Sequence, residues 1–217
     1  MKYSYGPYNK VDDSEQWIRI TEGCPNGCGY CYEPKEFKVF EIPEISRNKV
    51  KIMDMNLLCK PEALEIIKEL GRYRVNSKVV QYELICGVDY RFLDQELASA
   101  LKQARFKNIR LAWDHAFALQ KNIKSAIKLL LNAGYDSKTI TVFMVCNWKV
   151  PIVENFRKMD LCKVWRVKIA DCWYDNQLSP HILPIYWAEE EIKLFRRRVR
   201  KHNQTVTFGV DPEYKDK

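Results

Sequence analysis

Along most of its length the chain alternates short, nearly continuous apolar runs with amphipathic stretches of helical period. That alternation constrains the fold more than any other feature. Runs of β type at 16–21, 49–54, 79–86, 108–113, 140–146 and 164–170 are expected strands, with a seventh at 205–210. Ile140-Thr141-Val142-Phe143-Met144-Val145 is apolar at nearly every position. Such a run suits a parallel strand covered on both faces better than a half-wet antiparallel one. Between the strands, 61–70, 93–105, 122–132, 152–159 and 188–202 are expected helices. Ile123, Ala126, Ile127, Leu130 and Leu131 recur at helical spacing, and Gly134 supplies a C-terminal cap. Six expected strands with five helices among them read as right-handed β-α-β units in an α/β fold, specifically a partial (β/α)6 parallel barrel. Chemistry in such barrels sits on the loops leaving the C-terminal ends of strands. No repeat or linker divides the chain, so one domain is expected over 1–217, with 1–15 an N-terminal extension and 188–217 a basic helix and last strand.

The first expected strand runs directly into Glu22-Gly23-Cys24-Pro25-Asn26-Gly27-Cys28-Gly29-Tyr30-Cys31-Tyr32. Three cysteines therefore stand at spacing C-x3-C-x2-C on the loop where a barrel places its site. Pro25, Gly27 and Gly29 disfavour a regular helix and let the backbone wrap tightly. Closely packed soft thiolates suit an iron–sulfur cluster or zinc. A structural zinc site is normally closed by four ligands, and here no second short cysteine pair or nearby histidine follows; the next cysteine is Cys59. Three thiolates, Cys24, Cys28 and Cys31, on a four-iron cube leave one iron open, as in a site where a cofactor or substrate binds metal.

The C-x3-C-x2-C motif, with Tyr30 before its last cysteine and a β/α repeat behind it, resembles the radical S-adenosylmethionine (SAM) superfamily. The resemblance implies a [4Fe–4S] cluster on the three cysteines and SAM on the open iron. It further implies reductive cleavage of SAM to a 5′-deoxyadenosyl radical that abstracts hydrogen from a substrate, fed by an electron donor of the flavodoxin or ferredoxin kind. Many members carry a Gly-Gly-Glu motif after the second strand; this chain instead reads Asp54-Met55-Asn56, so Asp54 and Asn56 are the candidates to hold the methionine amino group. After the third strand, Gly87 permits close approach of a ligand, Asp89 can accept from ribose hydroxyls and Arg91 can pair a carboxylate; a turn with a surface ion pair is the plainer alternative. Asp114, a candidate cofactor contact, and His115, a candidate catalytic residue or a structural histidine, follow the fourth strand, and Cys172 follows the sixth, where a thiol could give a hydrogen atom to a radical. Cys59, Cys86, Cys146 and Cys162 read as buried small hydrophobes. No second cysteine cluster and no Asp-x-His-x-x-Gly cobalamin segment is present.

The Cys28-Gly29-Tyr30-Cys31-Tyr32 ending and the basic charge also resemble DNA-lesion lyases of the spore photoproduct type. An iron–sulfur electron carrier without SAM turnover is the alternative from outside the enzymes. Net charge is +8, compatible with a polyanion or with a solvated basic surface alone. Lys193, Arg196, Arg197, Arg200 and Lys201 fall along one helical stripe, a candidate dock for nucleic acid or an acidic partner protein, or a solvated face. No apolar run approaches a membrane span, and the N-terminus lacks a signal-peptide core. A cytoplasmic address with no membrane partner is therefore expected, and with it reduced cysteines.

Overall fold

The computed structural model describes residues 4–114, 116–173 and 187–209. Its elements run β1 (Tyr8–Val11), β2 (Gln16–Arg19), β3 (Thr21–Glu22), β4 (Lys38–Val39), β5 (Lys49–Ile52), α1 (Ala63–Leu70), β6 (Arg74–Val75), β7 (Lys78–Val79), β8 (Gln81–Leu84), α2 (Gln95–Gln103), β9 (Ile109–Ala112), α3 (Gln120–Asn132), β10 (Ile140–Cys146), α4 (Ile152–Trp165), β11 (Lys168–Trp173) and α5 (Glu189–Phe208).

The parallel pairs β2·β5, β5·β8, β9·β10 and β10·β11 form two sheets. Parallel bridges Tyr82↔Phe106 and Val88↔Leu111 link β8 to the β9 side, and Val88 N–H donates to the Arg110 carbonyl at 2.6 Å. The six parallel strands thus make one arc, a partial α/β barrel, with α1 to α5 packed along it. The core is continuous from Ile18 and Ile52 through Leu84, Leu111 and Val142 to Ile169, all 2% exposed or less. Burying such side chains is worth roughly 1.5–3 kcal/mol each.

Four expectations change in the structure. The N-terminal extension contributes β1, an antiparallel strand on the outer edge of β2. The run at 79–86 is shortened by a hairpin, β6·β7, whose two central residues Asn76 and Ser77 both take positive φ, as a tight type I′ turn demands. The helix expected to stop at Met159 continues to Trp165 and ends at Arg166 in the left-handed conformation, so the sixth parallel strand begins at Lys168. Val164 there is 74% exposed, while Cys162 is fully buried and Trp165 stacks on Trp113. The β-like Val164-Trp165-Arg166-Val167 run is therefore half helix end and half connection. Finally, 205–208 is the last turn of α5 rather than a strand. Thr205 and Thr207 satisfy their hydroxyls on the carbonyls one turn back, Lys201 and Asn203, and Gly209 caps the helix at φ 71. Val210, the end of that expected strand, lies outside the described residues.

Along α5, Phe195 and Val199 face the core while Arg197, Arg200 and Lys201 are exposed. Lys193 pairs with Glu189 at 2.6 Å, and Arg196 lies over the Trp173 ring with Asp171 at 3.4 Å. Among the described residues no helix is long and apolar enough to cross a membrane.

Candidate functional site

β3 delivers the chain into residues 23–34, which carry the three cysteines. The loop can turn there because Gly23 has φ +96, and a Cβ at that position would lie 2.0 Å from the Glu36 carbonyl oxygen. No residue but glycine fits. The loop is tied shut at its base: Gly23 N–H donates to Glu33 Oε1 at 2.6 Å and Cys24 N–H to the Pro34 carbonyl at 2.8 Å. Burial raises the Glu33 carboxyl above its usual range, opposed by that Gly23 bond. The buried Lys60 ammonium donates to the Gly23 carbonyl and sits 4.5 Å from the Phe37 ring centre. Within the loop, Cys31 N–H closes a turn onto the Cys28 carbonyl at 3.0 Å.

The sulfurs are partly exposed and face a cleft at the C-terminal ends of the parallel strands. Cys31 Sγ accepts from Glu33 N–H and Cys24 Sγ from Asn56 Nδ2, each at 3.4 Å. The Cys24 thiol is pulled down to about 5, first by the Cys59 thiol beside it, then by the Asn26 N–H and the Asn56 amide, against burial. Hydrogen bonds to a sulfur favour its charged, metal-binding form.

Asp89 joins the cleft walls. Arg91 grips it through Nε and one terminal nitrogen, both at 2.8 Å, while Asn26 Nδ2 donates at 2.6 Å and Asn56 Nδ2 at 3.2 Å. Burial pushes the Asp89 carboxyl up, but these donors together hold it below its ordinary value. The turn feeding Asp89 needs Gly87, at φ +96, where a Cβ would sit 3.2 Å from the Arg110 carbonyl. Asn56 is 5% exposed, and its Oδ1 has no hydrogen-bond partner among the described residues. Across the cleft, the Tyr30 hydroxyl donates to Asp114 Oδ2 at 3.1 Å, and the Tyr30 ring packs edge-on against Trp148. Burial lifts the Asp114 carboxyl to about 6.

Cys24, Cys28, Tyr30, Cys31, Asn56, Gly87, Asp89, Arg91 and Asp114 thus line one cleft, though they come from four separate loops. Asp54 does not line it. It is fully buried, with Oδ1 accepting from Ile20 N–H at 2.9 Å and Oδ2 from the Thr21 hydroxyl at 2.7 Å, so its oxygens serve the strand that carries the loop. Cys172 also lies off the cleft, its thiol pointing to the Ala170 carbonyl, and His115 lies outside the described residues. Cys59, Cys146 and Cys162 are buried, but Cys86 is partly exposed and lines the cleft. Sequence reasoning passed over Asn26, whose partner Asp89 is 63 residues away. It also passed over Lys158, fully buried below the cleft with Nζ on the Trp113 carbonyl at 3.1 Å. Neither pairing carries a local signal. No three His, Cys, Asp or Glu side chains among the described residues are gathered tightly enough for one metal ion.

No protein-family model and no curated protein matches the sequence. Solved structures do. The radical SAM methyltransferase TsrM from Kitasatospora setae, with cobalamin and a [4Fe–4S] cluster bound, aligns over 72% of this chain at TM-score 0.59 and 14% identity. Coproporphyrinogen III oxidase (HemN) from Escherichia coli, a radical SAM enzyme, aligns over 74% at TM-score 0.52 and 9% identity. The chain has the radical SAM core fold. A second TsrM structure, with tryptophan and the SAM analogue aza-SAM, aligns over 73% at TM-score 0.58 and 13% identity. The aligned part makes up 36%, 41% and 35% of the TsrM, HemN and second TsrM chains, so this chain matches well under half of each. Within the radical SAM core, the loop after its first parallel strand is the one that bears the cysteines here.

Proposed function

We propose that the chain is a radical SAM enzyme, with Cys24, Cys28 and Cys31 holding a [4Fe–4S] cluster and the neighbouring cleft holding SAM. One observation carries this reading. The three thiols on the loop after the first parallel strand share a cleft with an unpartnered buried acceptor, Asn56 Oδ1, and with the Asp89–Arg91 pair. A buried acceptor without a donor costs free energy until a ligand supplies one; an ammonium such as that of a methionine moiety meets the need. The donor set fits a sulfur-ligated cluster, and the neutral and charged polar groups beside it fit an amino acid. When bound, cluster and SAM together supply one-electron reductive cleavage of the sulfonium and a carbon radical able to abstract hydrogen.

The chain's own residues perform the remaining tasks. Asn56 Nδ2 donates to Cys24 Sγ and Asp89 at once, which fixes the amide. Arg91 and Asn26 keep Asp89 ionised and in place, ready to accept from hydroxyl groups. Tyr30 and Trp148 shield the cysteine side of the cleft and help exclude water. The half-buried Tyr30–Asp114 pair offers a proton-holding site that joins the cysteine loop to the opposite wall of the cleft.

The electron comes from a small acidic carrier of the flavodoxin or ferredoxin kind, and the substrate occupies the open mouth of the cleft. The test is anaerobic reconstitution followed by reduction with SAM present. The reading expects about four irons per chain, the complement of this cluster, together with 5′-deoxyadenosine as product. Almost no iron is expected in the triple Cys→Ala variant. Iron without 5′-deoxyadenosine would replace this reading with an electron carrier, and tightly bound zinc with undiminished metal in the triple variant would overturn it.

A further inference from the structure

A fourth thiol stands beside the cluster loop, outside the lining of the cleft. Cys59 lies 35 residues beyond Cys24, on the short helical turn after β5, and is 8% exposed. Its sulfur hangs on the same two residues that hold the Cys24 region: the Asn56 carbonyl at 3.1 Å and the Gly23 carbonyl at 3.7 Å. The side chain of that same Asn56 donates to Cys24 Sγ at 3.4 Å. The two thiols are consequently neighbours about Asn56 and Gly23. Lys60 Nζ stands 3.4 Å from Cys59 Sγ, close enough to steady negative charge developing on that sulfur. The remaining buried cysteines, Cys146 and Cys162, lie on β10 and α4.

We infer that Cys24 and Cys59 form a reversible disulfide when the chain is stripped of iron and meets a low-molecular-weight disulfide oxidant. The inference rests on the reading of Cys24 as a cluster ligand. Cys24, the more exposed of the pair, attacks one sulfur of glutathione disulfide; the S–S bond of the oxidant breaks and one glutathione leaves. Cys59 then attacks the Cys24 sulfur of the mixed disulfide, that S–S bond breaks, and the second glutathione leaves. Two protein thiols are oxidised and one glutathione disulfide is reduced to two thiols, which carry away the two protons. Cys59 is positioned to resolve the mixed disulfide because it already packs against its target. The product withholds Cys24 from iron and protects both sulfurs from irreversible oxidation.

The experiment uses the full chain, iron removed anaerobically with a chelator and then equilibrated with glutathione disulfide. Free thiols are alkylated and peptides mapped by mass spectrometry. The expected result is one linked peptide pair, Cys24–Cys59, and loss of two alkylatable thiols. Iron uptake is expected to fall at least about tenfold and to return with dithiothreitol. Cys59→Ser and Cys59→Ala are expected to take up iron as the untreated wild type does and, after oxidant, to stop at a glutathione adduct on Cys24. In the wild type, a Cys28–Cys31 link, a stable glutathione adduct on Cys24, or unlinked thiols would each overturn the inference. Should the untreated wild type take up no iron, the cluster reading itself fails, and the peptide map still reports on the disulfide separately.

Discussion

Replacing Asp54 with asparagine tests whether this carboxyl is a strut beneath the site or a ligand within it. Asp54 is fully buried, and its two oxygens accept from Ile20 N–H and the Thr21 hydroxyl. Burial raises its carboxyl from 3.8 to about 6, the two hydrogen bonds opposing the rise. A carboxyl that holds its proton more tightly in the folded than in the unfolded chain stabilises the fold at low pH. That contribution is complete below about 4 and is lost as pH climbs to about 6, for a total of about 3 kcal/mol at 1.4 kcal/mol per tenfold change in proton affinity. Asparagine reproduces the protonated acid: its oxygen accepts from Ile20, and its NH2 donates to the Thr21 oxygen. Asp54→Asn is therefore expected to match the wild type at pH 4 and to exceed it by up to about 3 kcal/mol at pH 7. Asp54→Ala, which strands two buried donors at about 1–3 kcal/mol each, is expected to be less stable than wild type at pH 4. Urea unfolding of the iron-free, reduced chain between pH 4 and 7 measures both. Parallel pH slopes for wild type and Asp54→Asn would refute the buried strut. Loss of SAM binding in Asp54→Asn with stability unchanged would return Asp54 to the cleft.

Three further outcomes are expected. Gly23→Ala drives a Cβ into the Glu36 carbonyl from a left-handed backbone; reconstituted iron should drop severalfold, and wild-type iron content would show that the loop base is slack. Lys158, fully buried, is lowered to about 8 by burial against the pull of Asp114 and Glu154; the wild type should therefore gain stability from about pH 8 to 10.5 at up to about 1.4 kcal/mol per pH unit, and Lys158→Met should lose that slope. Replacing Lys193, Arg196, Arg197, Arg200 and Lys201 with glutamine should weaken nucleic-acid binding and flatten its dependence on salt while sparing iron content; salt-independent retention of the wild type on RNA and DNA would leave α5 a solvated face.

What the sequence disclosed follows from the range of each signal. The parallel arc was legible because a strand covered on both faces is apolar nearly throughout, as 140–146 is, and because a helix advertises itself at i, i+3 and i+4. The cysteine loop was legible because its three sulfurs lie within eight residues. Ends were less so: Val164-Trp165-Arg166-Val167 reads as a strand until Trp165 is seen stacked on Trp113. Thr205 and Thr207 read the same way until their hydroxyls are seen on the preceding helical turn. The chemistry at Asp54 and Asn56 split for the same reason. Both follow β5 and both are polar, but which one meets the cleft depends on Ile20 and Thr21, more than thirty residues upstream, and no local pattern reports that distance.

The ties at the base of the cysteine loop also bear on how the protein is loaded. Gly23 to Glu33, Cys24 to Pro34 and Lys60 to Gly23 are bonds of the polypeptide to itself, and none of them requires iron. The chain builds its own socket during folding. Under the function proposed above, a cluster would meet a finished mouth rather than a loose strand, its base held by one backbone bond and two side-chain bonds.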